Sequence, residues 1–331
     1  MLDFHKELED FRGEKSLILG NGFGIAYDAA AGTHSFRWDS LAELCNFDAD
    51  SPLLLLLEQC YYDFELAHQK INNAINVSEH YDEGRQFSGV MSSEVQVLRS
   101  ELISAITNSH PPSLGRRCTV EEKKFIAARV SRCRKFLKEF KRVFSLNYDL
   151  LLYWVRCYDN DFLGKDCFKS NGDLLAFVED ENANFFFPHG ALFINRRGVD
   201  AEKSRSSTEI PILARVKQNI REGRFPMCVS EGTGEQKLAA IRDNNYLNFA
   251  YQKIEQSRGV IFTFGASFME GKDDHIIEAM IKSPAKKIVV GEFEPTEADR
   301  LRLLHSFQSI SEKIGRRKEI VVANTSRTEI W

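Results

Sequence analysis

The 331-residue sequence has no hydrophobic run long enough to cross a bilayer. Residues 53–57 are five leucines that stop at Glu58, and 260–269 reaches ten residues only by counting its Gly, Thr and Ser. A span requires about 18 or more. The opening MLDFHKELEDF alternates charges with bulky apolar groups and lacks the apolar stretch of a secretory signal. Seven cysteines form no C-x-x-C pair and are odd in number, which excludes a zinc ribbon and a secreted disulfide framework. Neither sign of charge dominates. Forty-four Lys and Arg against 48 Asp and Glu leave a formal charge of −4, unlike a dedicated nucleic-acid binder. The expectation is a soluble, cytoplasmic chain with reduced thiols and no membrane segment.

What is present is an ordinary globular composition, 43% hydrophobic and 28% charged, in a chain long enough to bury a full core. Short apolar runs end abruptly in small or polar residues. Residues 15–24 read KSLILGNGFG, the pattern of a buried strand striking a tight loop. Similar runs cover 142–146, 184–188, 225–229, 259–264, 286–290 and 319–323. Helical spacing appears over 53–75, 93–108, 120–140, 235–256 and 274–283. Strands alternating with helices predict an α/β fold, Rossmann-like and doubly wound, with a mostly parallel sheet. The helices between about 40 and 140 break that alternation and read as a helical insertion within a single domain spanning 1–331. The polar stretch 196–208 reads as a mobile loop.

Four of the strand tails carry groups suited to chemistry: GNGFG at 20–24, NYD at 147–149, HG at 189–190 and GAS at 265–267. Ligands of open α/β sheets bind at the carboxyl ends of strands, near the switch in strand order, so the four tails are expected to share one crevice. Gly20, Gly22 and Gly24 allow close backbone approach, and with Asn21 and Phe23 could cradle a diphosphate. The spacing is neither G-x-G-x-x-G nor a Walker loop, which disfavours a dehydrogenase and a P-loop enzyme. A plain strand-to-helix turn explains the same glycines.

Asn147 can orient a water or a ribose hydroxyl. Asp149 either orders that loop functionally or caps the following helix. His189 ends its strand beside Gly190, with an ordinary pKa of about 6.5 that suits proton transfer. Gly265, Ser267 and Asp273 offer a small floor, a hydroxyl and a carboxylate, or else a capped turn. Between 116 and 142, eleven Lys and Arg face three acidic residues. These fit the solvated face of a helix whose apolar stripe holds Phe125, Phe136 and Phe140. The alternative is a docking surface for nucleic acid or an acidic partner.

The ordered set resembles the Sir2-like superfamily. GNGFG stands where that family has its Gly-Ala-Gly loop, SLNYD where it has Thr-x-Asn-x-Asp, PHG at its His-Gly, and FGASF with Asp273 or Asp274 at its Gly-x-Ser-x-x-x-Asp run. ILGNGFGIAYD followed by FRWDSL is similar to the DUF4917 family, and also to the AbiH abortive-infection proteins. The resemblance spans about 15–295. It implies cleavage of NAD between nicotinamide and ribose, in anti-phage defence by NAD depletion. NAD would be the substrate, no metal would be needed, and a homo-oligomer or a defence-system partner would be expected. It further implies Asn147, His189 and Asp149 as catalytic, and Gly20, Asn21, Gly22, Phe23, Gly24, Gly265, Ser267 and Asp273 as NAD-binding. The zinc-ribbon cysteines of protein deacylases are absent, and Leu146 stands where sirtuins have Gln, so lysine deacylation is not expected. The competing expectation is a module that holds NAD or ADP-ribose without hydrolysing it, as a sensor or an oligomerising scaffold.

Overall fold

The computed structural model describes residues 2–36, 41–48, 50–81, 86–110, 120–158, 161–171, 174–205, 211–222, 224, 226–229 and 232–331. Its strands are β1 (Leu2–Asp3), β2 (Lys15–Leu19), β3 (Arg142–Ser145), β4 (Phe168–Asn171), β5 (Leu174–Phe177), β6 (Phe185–Phe186), β7 (Gly190–Arg197), β8 (Asp200–Lys203), β9 (Pro226–Cys228), β10 (Val260–Phe264), β11 (Lys287–Glu292) and β12 (Glu319–Asn324). The helices are α1 (Phe4–Asp10), α2 (Gly22–Ala31), α3 (Pro52–Gln59), α4 (Phe64–Ser78), α5 (Gln86–Ser109), α6 (Val120–Leu137), α7 (Leu151–Arg156), α8 (Ile212–Arg221), α9 (Gly234–Arg242), α10 (Asn245–Glu255), α11 (Asp274–Lys282) and α12 (Glu297–Ile314).

Seven strands form one sheet in the order β1-β12-β11-β10-β2-β3-β6, and every neighbouring pair is parallel. The apolar runs that read as strands in sequence are its centre, and their burial explains why they do not alternate with polar residues. Phe262, Leu17, Val143 and Phe185 lie in one register row, and Thr263, Ile18, Phe144 and Phe186 in the next. On the first face, Phe262 meets Phe4 of α1 and Phe140, with ring centroids 5.5 and 5.9 Å apart. On the second, Phe186 stacks on Phe144 at 5.2 Å and reaches Phe249 of α10. Both faces are covered, and the fold is doubly wound. Burying each such ring stabilises by about 2–3 kcal/mol.

The direction of winding changes once. From β2 the chain moves to β3 and β6 on one side, and from β10 to β11 and β12 on the other. The switch therefore lies between β2 and β10, and the tails singled out in sequence end the adjacent strands β10, β2, β3 and β6.

A second, antiparallel sheet of five strands, β4-β5-β8-β7-β9, was not expected. It takes 226–228 out of the parallel set, and Pro226 opens an edge strand, where a missing N–H is tolerated. The stretch 196–208 is not a loop through its first half, because β7 and β8 pair as a hairpin. The helix expected over 53–75 is two helices. Tyr61 and Tyr62 take left-handed φ of 52° and 60°, and Asp63 caps the restart by accepting from Leu66 N at 2.9 Å. The helix over 235–256 breaks likewise, where Asn244 caps α10.

Helices α3 to α5 build a second core with Leu53, Leu57, Phe64, Leu98 and Ile103, into which Tyr148 and Leu192 insert. Cys133, Phe136 and Leu137 of α6 join the first core instead, while Val216 of α8 joins the second. Phe125 does not belong to the apolar stripe of α6, being 65% exposed. The basic segment is partly neutralised: Arg134 pairs with Asp161 and Lys141 with Glu14, each at 2.6 Å. Residues 116–119 of that segment lie outside the described residues, as does Asp39. No helix among the described residues is long and apolar enough to cross a membrane.

Candidate functional site

At the switch, the glycine loop meets the loop after β10 backbone to backbone. Gly20 N–H donates to the Phe264 carbonyl at 3.0 Å and Gly22 N–H to the Gly265 carbonyl at 2.9 Å. A Cβ on Gly22 would lie 2.5 Å from the Gly265 Cα. One on Gly265, whose φ is +67°, would lie 2.4 Å from the Gly22 Cα. The glycines are required by this seam. Phe23 and Gly24 amides donate back to the Gly20 and Asn21 carbonyls as α2 begins. The amides of Gly20, Gly22, Phe23 and Gly24, expected to cradle a diphosphate, all donate within the protein. Among the described residues, the amides of Asn21, Ala266 and Ser267 make no hydrogen bond. Those three flank the seam and remain for a ligand. The side chain of Asn21 donates to the Phe36 carbonyl at 3.2 Å, and Ser267 is exposed.

Beyond the seam, β3 ends in Ser145, whose hydroxyl accepts from Asn147 N at 3.2 Å and turns the chain. Asn147 Nδ2 donates to the Gly20 carbonyl at 2.9 Å and also toward Asp149. Two acceptors fix the nitrogen on that side, so Oδ1 faces away, without a partner among the described residues. Asp149 accepts from Leu151 N at 2.7 Å, the capping role weighed above. Burial pushes its carboxyl up to about 6, against the downward pull of its hydrogen bonds to Leu151 and Asn147.

The helical layer reaches this loop through His110, which sequence reasoning passed over as one histidine among eight. Its Nε2 accepts from Leu150 N at 2.8 Å, its Nδ1 donates to the Ile106 carbonyl, and its ring stands edge-on to Phe36 and Trp154. Burial lowers its pKa to about 4, so the ring stays neutral and its tautomer is fixed by both bonds.

His189 lies where the chain leaves the parallel sheet for the antiparallel one. Gly190 makes the turn with φ +81°, and a Cβ there would fall 2.0 Å from the Met227 carbonyl oxygen. Tyr148 ties this junction to the β3 tail. Its hydroxyl donates to the Val229 carbonyl at 2.9 Å, while Val229 N donates to the His189 carbonyl at 2.8 Å. The His189 ring is 3% exposed. Its Nε2 lies 2.8 Å from Nε2 of His275, in stacked rings, and its Nδ1 makes no hydrogen bond among the described residues. Burial first, then His275 and Lys237, holds the imidazole well below its ordinary pKa.

Asp273 accepts from Met269 N at 3.2 Å, and its carboxylate is 3.8 Å from the buried ammonium of Lys237. Burial raises its pKa more than that lysine lowers it. Lys272, next in chain, pairs with Asp63 of the helical layer at 2.9 Å. His275, Lys237 and His110 were invisible as site residues because their partners come from distant segments. The strand-end position that singled out His189 has no counterpart at helical residues.

A cavity of about 410 Å³ lined by Arg134, Lys135, Tyr158 and Asp161 lies along the second half of α6. That part of α6 leads into the start of β3, so the cavity is at the opposite edge of the sheet from these tails. Among the described residues no cluster of three or more His, Cys, Asp or Glu could hold a metal ion. No curated protein matches the sequence. The family profile of a domain of unknown function, DUF4917, matches residues 17–331. The chain belongs to the DUF4917 family.

Proposed function

We propose that the protein hydrolyses NAD at the bond between nicotinamide and ribose, with NAD as substrate. The observation that carries this reading is a pair of polar atoms on adjacent strand tails, Asn147 Oδ1 and His189 Nδ1, with no hydrogen-bond partner among the described residues, beside a glycine seam at the switch point. The ordered likeness of these motifs to the Sir2-like superfamily supports the same reaction. In it, neutral nicotinamide leaves with the electron pair of its bond to C1′, and positive charge builds on the ribose. Water attacks C1′, and its proton passes to His189 Nδ1 and on to solvent.

Asn147 Oδ1 accepts a hydrogen bond from the water or a ribose hydroxyl and positions it. Asn21, Ala266 and Ser267 present amides to the diphosphate end, and Asp273 with Lys237 sets the charge of the far wall. Asp149 and His110 hold the loop that carries Asn147. Destruction of NAD fits a role in anti-phage defence by depletion.

Purified protein incubated with NAD should release nicotinamide and ADP-ribose, resolved by chromatography, and His189→Ala should lower the rate by about 10²–10⁴. NAD bound but recovered intact would instead identify a non-hydrolysing sensor. Wild-type turnover by His189→Ala would dismiss the histidine's role.

A further inference from the structure

The site contains a second imidazole that the proposed reaction has not yet used. His275, the second residue of α11, is 2% exposed. Its backbone is held by Tyr251, whose hydroxyl donates to the His275 carbonyl at 2.8 Å, and the Tyr251 ring stacks parallel to the imidazole at 10°. The two Nε2 atoms 2.8 Å apart can be joined by only one proton, so one ring donates and the other accepts.

The surroundings decide which. The backbone carbonyl of Lys272 faces the His275 ring, in a contact too loose to satisfy the buried Nδ1 fully. A carbonyl only accepts, so the proton of His275 belongs on Nδ1 and its Nε2 carries the lone pair. His189 must then donate Nε2–H, which leaves its own Nδ1, the nitrogen with no partner among the described residues, as a lone pair.

We propose that His275 is a positioning residue for His189, fixing by its Nε2 acceptor the tautomer in which His189 Nδ1 is the proton acceptor of the site. When His189 takes the proton of the attacking water at Nδ1, its Nε2–H stays bonded to His275 and the imidazolium charge is shared along that bond. Burial first, with the buried Lys237 adding to it, keeps both rings neutral beforehand. The logic is that of an orienting partner behind a catalytic histidine. It rests on the NAD-cleaving reading for its consequence, while the tautomer itself is independent of any activity.

The test is nitrogen NMR on the full chain labelled with ¹⁵N-histidine at pH 7.5, with His189→Gln and His275→Gln used to assign the signals. The expected spectrum shows His189 protonated at Nε2 and bare at Nδ1, and His275 the reverse. A proton on His189 Nδ1 overturns the proposal, whether or not the protein consumes NAD. In turnover, His275→Phe keeps the ring stack but removes the acceptor. It should lower kcat by about 10²-fold with little change in KM, and His275→Gln, which offers Oε1, should recover most of the rate. Wild-type kcat in His275→Phe also overturns it. Absence of nicotinamide release from the wild type would sink the proposed reaction and leave the tautomer to the NMR result.

Discussion

The seam between β2 and β10 and the pair of tails on β3 and β6 occupy neighbouring stretches of one sheet edge, yet they spend their polar groups differently. At the seam, four amides donate within the protein and the backbones touch where Gly22 faces Gly265. On the β3 and β6 tails, Asn147 and His189 each keep one polar atom without a hydrogen-bond partner among the described residues. The most conspicuous motif in the sequence is thus the most closed part of the edge, and its glycines answer to packing. Openness to a ligand is carried by single residues with little pattern around them.

The comparison is broken most severely at Gly265. Gly265→Ala must force a methyl into the Gly22 backbone at a left-handed φ, and should cost about 4 kcal/mol or more, read as loss of the cooperative unfolding transition at ordinary temperature. On the other side, Asn147→Ala removes one hydrogen bond to the Gly20 carbonyl, and should cost only about 1–2 kcal/mol while lowering nicotinamide release by about 10²–10⁴. An equal loss of stability at both positions would erase the distinction.

Smaller effects follow from the buried titrating groups. His110 and His275 are lowered to about 4 and about 3 and His189 is also lowered. Stability from keeping them neutral is complete above the unfolded pKa of about 6.5 and fades as pH falls through those values. His110→Gln should flatten part of that acid limb in urea titrations between pH 6.5 and 4. Asp149 acts with the opposite sign. Its pKa is raised to about 6, so its contribution is full below about pH 4 and lost as pH rises past 6. Asp149→Asn should therefore be more stable than wild type at pH 8, by about 1–3 kcal/mol.

Sequence made the parallel sheet legible because its strands are buried on both faces and end at glycine or polar residues. The tails of β10, β2, β3 and β6 end adjacent strands as anticipated, since strand-end position is local information. The antiparallel sheet was missed because β4 and β8 are short and mostly polar and the apolar β5 is only four residues long, so nothing in their spacing separates them from loops. Helix breaks at Tyr61–Tyr62 and Asp243–Asn244 were missed because apolar periodicity runs through them. Asn147 and His189 stand out in sequence by strand-end position, whereas His275 and His110 depend on contacts 86 and 40 residues away in the chain.

If the four strand tails serve one nucleotide, amide hydrogen exchange with and without NAD should show added protection together in 20–24, 147–151, 189–192 and 265–269. Protection confined to α6, or none at any NAD concentration, would mean that they do not.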